Sequence, residues 1–206
     1  MTIPEMEDFA NEAERIDRTL HDIEPDDWVR PALGAWNLAQ LAFHLVRQAE
    51  RLDAYRDRPV SADTPAVNRV EYYRRAAEQA ADVAARAIEG AAGIDPTTLP
   101  GLFSDAWRRS MASATDAGAL IETVMGPMRT GEYAATRVVE LVVHHMDLRR
   151  ALDLPTNSDP GAARLVINLL EELLVGPRPR NLGRTRFILA ATGRIPHNDP
   201  RLPVLT

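Results

Sequence analysis

Residues 137–148 have the sequence RVVELVVHHMDL, in which apolar residues surround a carboxylate and two histidines. Glu140 and His144 are four residues apart, so a helix places both side chains on one face, about one turn apart. Such a pair can bind one divalent cation, although the same spacing is common in ordinary surface ion pairs. Here the pair lies in an apolar stretch, where a buried and unpaired carboxylate would be costly. The stretch therefore predicts a pair of metal ligands on a buried helix.

His44 lies in the middle of another predicted helix, where Leu41 and Leu45 flank it on the apolar face. A lone histidine in such a place is more often a core or boundary residue than a ligand. Two inward-facing sites on separate helices of one bundle favour a ligand role instead. Together His44, Glu140 and His144 would supply two imidazoles and a carboxylate, a set typical of catalytic zinc, with a fourth position left for water or substrate.

Apolar residues recur at helical spacing along most of the chain, interrupted by clusters of Pro, Gly and Asp. The clearest helix start is at Asn37, which with Gln40 three residues later has the pattern of a capping box. Residues 121–128 are β-branched and then turn-like, and they predict a short strand or an extended connection. The sequence predicts an all-α fold, with a bundle in residues 1–155 and a short, mostly helical C-terminal extension in residues 156–206.

The extension is expected to pack on the bundle rather than to fold alone. About 50 residues with two short helices cannot bury enough apolar surface to be stable by themselves. We expect four apolar residues of its first helix to dock on the bundle: Leu165, Ile167, Leu169 and Leu170.

The composition limits the chemistry that is possible. There is no Cys among the 206 residues, and all 24 basic residues are Arg. Disulfides, thiolate nucleophiles, Cys-ligated metals and lysine Schiff bases are therefore excluded. The net charge of −6 argues against nucleic acid or an anionic membrane as a partner, and no apolar run is long enough to span a bilayer. The acidic, amphipathic start of the chain is unlike a secretory signal, so the cytoplasm is the expected location.

Two further polar residues accompany the ligand pair. Asp147 lies about one turn beyond His144. It can orient a ligand imidazole by accepting a hydrogen bond from it, and a purely structural contact near the end of the helix is the equal alternative. His145 points about 100° away from its neighbour on the helix. We therefore interpret His145 as secondary to the site.

Three arginines are candidates for binding an anionic ligand. Arg137 lies one turn before Glu140 and can bind a substrate carboxylate or pair with Glu140. Arg47 and Arg51 follow His44 by about one and two turns and can line the mouth of the same site. A solvated surface role is the alternative for each of them. All three can donate hydrogen bonds to carboxylates of a thiol cofactor or of an acidic substrate.

Two motifs resemble a known family. The first, W-N-x-x-x-L-x-x-H-L, covers residues 36–45, and the second, R-x-x-E-x-x-x-H-x-x-D-L, covers residues 137–148. Found together in this order, they resemble the mycothiol-dependent maleylpyruvate isomerase family, part of the wider DinB-like superfamily of metal-binding four-helix bundles. The resemblance covers the predicted bundle. Isomerases of this family carry a substantial C-terminal α/β domain after the bundle, whereas residues 156–206 predict only a short helical extension.

The resemblance implies a fold, a metal and a cofactor. It implies a DinB-like four-helix bundle in which His44, Glu140 and His144 hold a divalent metal, usually zinc, with nickel as an alternative. It also implies mycothiol as cofactor and an actinobacterial source, which agrees with the use of Arg in place of Lys. Because the chain has no Cys, a thiol has to arrive as a cofactor, and a bound metal would lower the pKa of that thiol.

The expected function is a metal-dependent thiol transferase or isomerase acting on a small electrophilic substrate. The thiolate would add to an electrophilic carbon. In an isomerase the adduct then rotates about a former double bond and expels the thiol, whereas in a transferase the adduct is the product. Two alternatives stay open: a hydrolase that uses metal-bound hydroxide, and a non-catalytic stress protein that binds a metal or a small ligand. The sequence is compatible with a monomer or a homodimer.

Overall fold

The computed structural model describes residues 3–58, 60–61, 63–76 and 80–205. The helices and strands are α1 (Pro4–His21), β1 (Pro31–Leu33), β2 (Trp36–Asn37), α2 (Leu38–Arg56), α3 (Arg69–Ala76), α4 (Ala80–Ala91), α5 (Leu99–Ser113), β3 (Leu120–Thr123), β4 (Gly126–Arg129), α6 (Thr130–Ala151), α7 (Pro160–Leu174) and α8 (Arg184–Ala191). Short 3-10 turns precede β1 and α5. Helices dominate the described chain, and the all-α prediction is confirmed.

Helices α1, α2, α5 and α6 form a four-helix bundle. Both α1 and α2 pack against α5 and against α6, so the four helices enclose one core. The amphipathic stripe of α1 buries Phe9 and Ile16, and α5 contributes Phe103 from the other side. Burial of such apolar side chains is the main favourable term in the stability of the bundle. None of the helices in the described ranges is long and apolar enough to cross a membrane.

The start of α2 is set by a capping box. The backbone N–H of Gln40 donates to Asn37 Oδ1, and the backbone N–H of Asn37 donates to Gln40 Oε1, both at 2.9 Å. These bonds satisfy two backbone donors that a helix start leaves without partners. The prediction at Asn37 is confirmed. His44 lies two turns later, on the face of α2 that packs against α6.

Helix α6 is buried on nearly all sides, because α1, α2 and α7 surround it. The antiparallel pair of β3 and β4 leads directly into it, so the segment predicted as one short strand or an extended connection, residues 121–128, is a hairpin of two strands. Its interior position also buries polar side chains, including the ionisable groups of Arg137, His144, His145 and Asp147. Each of these must find a hydrogen-bond partner inside the protein, since unpaired buried polar groups are costly.

The extension packs on the bundle through α7. Helix α7 contacts α1, α3 and α6, and α8 packs against α7. Ile167, Leu169 and Leu170 are buried as expected, whereas Leu165 is half-buried and packs at the edge of the core. Val166, which the sequence reasoning did not select, is fully buried. That residues 156–206 depend on the bundle for their stability stays a prediction.

Candidate metal centre

Three side chains converge between α2 and α6. His44 comes from α2, while Glu140 and His144 come from α6. Both His44 Nε2 and His144 Nε2 lie 3.6 Å from Glu140 Oε2. One ligand atom from each residue lies within 4.8 Å of the other two. The structure thus brings together the three predicted ligands, while metal binding itself stays a prediction.

The donor set fits a divalent metal such as zinc. Two imidazole nitrogens and one carboxylate oxygen are the ligands of many catalytic zinc sites. The Nε2 atoms of His44 and His144 face the same carboxylate oxygen, at distances longer than a hydrogen bond. Separations of this size between ligand atoms match those around a tetrahedral ion with ligand distances of about 2 Å. The fit therefore rests on geometry as well as on residue type.

The protonation of the cluster follows from burial and mutual contact. Burial lowers the pKa of His44 to about 4, against the opposing effect of Glu140. Burial alone would raise the pKa of Glu140, but both histidines and the charge of Arg137 hold that pKa well below its usual range. Glu140 is therefore a carboxylate and His44 a neutral imidazole at pH 7. These are the protonation states that metal ligands require. Burial would lower the pKa of His144, but its contacts with Asp147 and Glu140 raise that pKa, so a metal would have to displace a proton from this third ring.

Asp147 contacts the far side of the His144 ring. His144 Nδ1 lies 3.1 Å from Asp147 Oδ2, so the ring donates its Nδ1–H there and leaves Nε2 facing Glu140. Burial would raise the pKa of Asp147, but its contacts with His144 and with Arg194 lower the pKa instead. The carboxylate that was expected to orient His144 thus lies within hydrogen-bond distance of it. Its contact with Arg194 was not expected, since Arg194 belongs to the extension.

A polar network lies on the cavity side of the ligands. The Tyr73 hydroxyl donates to Glu140 Oε1 at 3.1 Å and also lies 3.0 Å from the Thr136 carbonyl oxygen. Gln48 Nε2 lies 3.1 Å from His44 Nε2, and Gln48 Oε1 accepts a hydrogen bond from Arg137. Because the amide oxygen of Gln48 accepts this hydrogen bond from Arg137, its amide nitrogen is directed towards His44. Sequence reasoning missed both Tyr73 and Gln48.

Arg137 is buried, and its charge is surrounded by neutral groups. The residue is 2% exposed, and its guanidinium carbon lies 4.6 Å from the centre of the Tyr133 ring. Among the described residues, its hydrogen bonds go to Gln48, to the Tyr72 hydroxyl at 2.8 Å and to the Thr136 hydroxyl. The predicted pairing with Glu140 is not one of these bonds. The hydrogen-bond partners of this buried cation are thus neutral, while the Glu140 carboxylate acts on it through charge alone.

A cavity of about 600 Å³ adjoins the cluster. His44 and Glu140 form part of its wall, and so do the arginines expected at the mouth of the site: Arg47, Arg51 and Arg137. Arg86 on α4 adds a fourth arginine that the sequence did not single out. Arg47 pairs with Glu50 at 2.5 Å, and Arg51 donates to the Tyr55 hydroxyl. Several Tyr and Phe side chains complete the wall, so the cavity combines apolar surface with positive charge.

The residues that sequence reasoning missed are of two kinds, one that helical spacing could have identified and three that it could not. Gln48 is on the same helix as His44, one turn later, and that spacing could have identified it. Tyr73, Arg86 and Arg194 come from other segments, and no local pattern connects them with the ligands. His145 turns away from the cluster, as expected.

Comparisons with known proteins agree on the family and on the fold. The family model described as mycothiol maleylpyruvate isomerase N-terminal domain matches residues 9–149, more than half of the chain. No curated protein matches the sequence. A crystal structure of the mycothiol-dependent maleylpyruvate isomerase is similar, with a TM-score of 0.55 at 14% identity, over 84% of this chain and 72% of that one. A histidine-to-alanine mutant of that enzyme matches equally well, at 13% identity.

At these identities the structural likeness shows the fold alone, which is an all-α four-helix bundle. The family model adds the sequence relationship, since it covers both motifs and the bundle between them. The chain belongs to the mycothiol maleylpyruvate isomerase N-terminal domain family.

Proposed function

We propose that this protein is a metal- and mycothiol-dependent isomerase or S-transferase for a small, acidic electrophile. Its metal would be Zn²⁺, with Ni²⁺ as the alternative, held by His44, Glu140 and His144. One observation carries the proposal: the three ligand atoms lie within 4.8 Å of one another, and two of the three residues form part of the wall of an arginine-lined cavity.

The mycothiol part of the proposal draws on the family and on the composition. The solved enzyme of similar fold is named as mycothiol-dependent. The present chain has no Cys and no Lys, so addition to an electrophilic carbon needs a nucleophile from outside. A divalent metal at the three ligands would supply Lewis acidity, which lowers the pKa of a thiol or a water bound to it.

The residues of the chain would bind and orient the reactants. Glu140 and two neutral imidazoles carry a single negative charge, so a site holding a divalent cation stays net positive and attracts an anionic thiolate. Arg47, Arg51 and Arg137 on the cavity wall would donate hydrogen bonds to carboxylates of the substrate or the thiol. The aromatic wall would exclude water from the same space. This division of labour needs no nucleophile from the protein.

The proposal is tested by metal analysis and by thiol titration. Protein purified without chelator should contain one metal ion per chain, and a His144→Ala variant should contain none. Cobalt-substituted protein titrated with mycothiol should develop a sulfur-to-cobalt charge-transfer band that saturates. A variant of the exposed His21, His21→Ala, is the matched control and should behave like the unaltered protein. Absence of stoichiometric metal, or hydrolysis of esters or amides without thiol and without such a band, would overturn the proposal.

A further inference from the structure

Arg194 connects the extension to the candidate metal centre. It follows α8, and its guanidinium donates to both oxygens of Asp147, from Nε to Oδ1 at 3.2 Å and from Nη2 to Oδ2 at 2.9 Å. Asp147 Oδ2 is also the atom that contacts His144 Nδ1 at 3.1 Å. An unbroken chain of polar contacts therefore runs from the extension through Asp147 to one of the three predicted ligands.

Several hydrogen bonds hold Arg194 itself in place. Its Nη1 donates to the Thr192 carbonyl at 2.6 Å, and its backbone N–H donates to the Leu189 carbonyl at 2.7 Å. Arg150 on α6 donates in turn to the carbonyl of Arg194. The side chain is only 14% exposed. Because its backbone and its third guanidinium nitrogen are held in this way, the remaining donors can face Asp147 in only one orientation.

We propose that Arg194 is a positioning residue for the metal centre. It fixes the Asp147 carboxylate, which fixes the His144 ring with Nδ1–H donated to Asp147 and with Nε2 towards Glu140. This inference rests on the proposed function, because it concerns how tightly and in what geometry the three ligands hold a metal. It gives the extension a role in the chemistry of the bundle.

The physical reason is the cost of a mobile or unpaired buried carboxylate. The Asp147 side chain is 3% exposed and has two partners, His144 and Arg194. A fork of two parallel N–H donors restricts both the position and the rotation of a carboxylate. Without Arg194, Asp147 keeps a single contact and can rotate. Residues that orient a metal-bound imidazole from behind change metal affinity by about 10–100-fold when they are replaced.

The test is zinc affinity, measured by competition with a chromophoric chelator on the full chain. Arg194→Gln should weaken Zn²⁺ binding by about tenfold or more and alter the d–d spectrum of the cobalt form. Arg194→Lys, which keeps the charge and loses the fork, should be intermediate. The matched control is Arg201→Gln, because Arg201 lies in the same extension and pairs only with Asp199 in the described structure. It should bind Zn²⁺ as the unaltered protein does.

Two further measurements separate positioning from a structural role. The melting temperature of each metal-free variant shows how much stability was lost, and Arg194→Gln should lose metal affinity even where it stays folded. In a double-mutant cycle, Arg194→Gln should add little to the loss caused by Asp147→Asn. Zn²⁺ affinity within twofold of the unaltered protein in both Arg194 variants would overturn this inference alone. Failure of the unaltered protein to bind Zn²⁺ would overturn the proposed function and this inference with it.

Discussion

His144 and His145 are adjacent on α6, yet their surroundings differ in kind. His145 is fully buried, and both of its ring nitrogens have partners, Glu12 at 2.5 Å and the Thr19 hydroxyl at 3.1 Å. Glu12 also accepts the backbone N–H of Asp159, which precedes α7. Among the described residues, His144 has its one hydrogen bond at Nδ1, and its Nε2 faces Glu140 at 3.6 Å. We call His145, Glu12 and Thr19 the closed cluster, because both ring nitrogens of its histidine have partners. We call His44, Glu140 and His144 the open cluster, because in the described structure His144 Nε2 has no hydrogen bond.

This difference is the basis for proposing His144, and not His145, as a metal ligand. In the closed cluster, each polar atom is used to join α1, α6 and the start of α7, so the cluster contributes to stability. In the open cluster, the candidate ligand atoms of His44, Glu140 and His144 lie within 4.8 Å of one another beside a cavity, and Gln48 Nε2 lies 3.1 Å from His44 Nε2. In the proposed function, a divalent metal would satisfy these buried polar atoms. Mutation of the closed cluster should therefore lower the free energy of unfolding, whereas mutation of the open cluster should lower metal affinity.

The largest expected effect is at His144. His144→Ala removes one of three ligands and should abolish stoichiometric metal binding, while a urea unfolding transition remains. His145→Gln, the matched variant in the closed cluster, should keep one metal per chain. Metal content after gel filtration measures both. Loss of metal in the His145 variant with retention in the His144 variant would reverse the assignment of the two clusters.

The closed cluster should reveal itself in stability. Glu12→Gln replaces one of two acceptor oxygens with an amide nitrogen, so either the His145 ring or the Asp159 N–H loses its partner. A buried donor left without an acceptor costs about 2 kcal/mol in free energy of unfolding. Urea denaturation in the presence of chelator measures this loss. Unchanged stability, or a changed zinc affinity in the folded variant, would contradict the division between the clusters.

Arg137 tests the cavity that adjoins the open cluster. Arg137→Gln should weaken the binding of succinate, a simple dicarboxylate, to the zinc-loaded protein by about tenfold, because a charge-assisted hydrogen bond is lost. Metal occupancy should stay at one per chain. Isothermal titration calorimetry gives the affinity, and Arg69→Gln serves as control, since Arg69 pairs with Glu132 and Glu172 away from the cavity. Equal succinate affinity in the Arg137 variant would remove this arginine from the proposed anion site.

The smallest effect is expected at the start of α2. Asn37→Ala removes the hydrogen bond from the Gln40 backbone N–H to the Asn37 side chain. It should lower the free energy of unfolding by about 1 kcal/mol. Zinc affinity should change little, because the packing of α2 against α6 still holds His44 in place. Thermal denaturation and chelator competition measure the two quantities. A large loss of zinc affinity would show that the cap, rather than packing, positions the ligand.

Local geometry made part of the site predictable. Glu140 and His144 are on one face of one helix, so their proximity follows from helical spacing in any fold that keeps the helix. The capping box at Asn37 made the start of α2 recognisable in the sequence. The two motifs together indicated the family, which the match over residues 9–149 establishes.

Other contacts could not be predicted, because they join segments that are far apart in the chain. Arg194 meets Asp147 across 47 residues, Tyr73 meets Glu140 across 67, and Glu12 meets His145 across 133. Hydrophobic periodicity predicts which face of a helix is buried, but it does not predict which polar residue of a neighbouring helix that face contacts. Such pairings become visible only when packing fixes the rotation and depth of each helix.

The sequence by itself therefore determined the helical fold, the family, and three metal-ligand candidates on inward faces, since all of these depend on spacing within single helices or on motifs. Only the tertiary structure decided that the ligands meet at one point, that His144 is open and His145 closed, and that the extension reaches the site through Arg194. The physical reason is that a histidine becomes a ligand or a structural residue according to which partners packing brings to its two ring nitrogens.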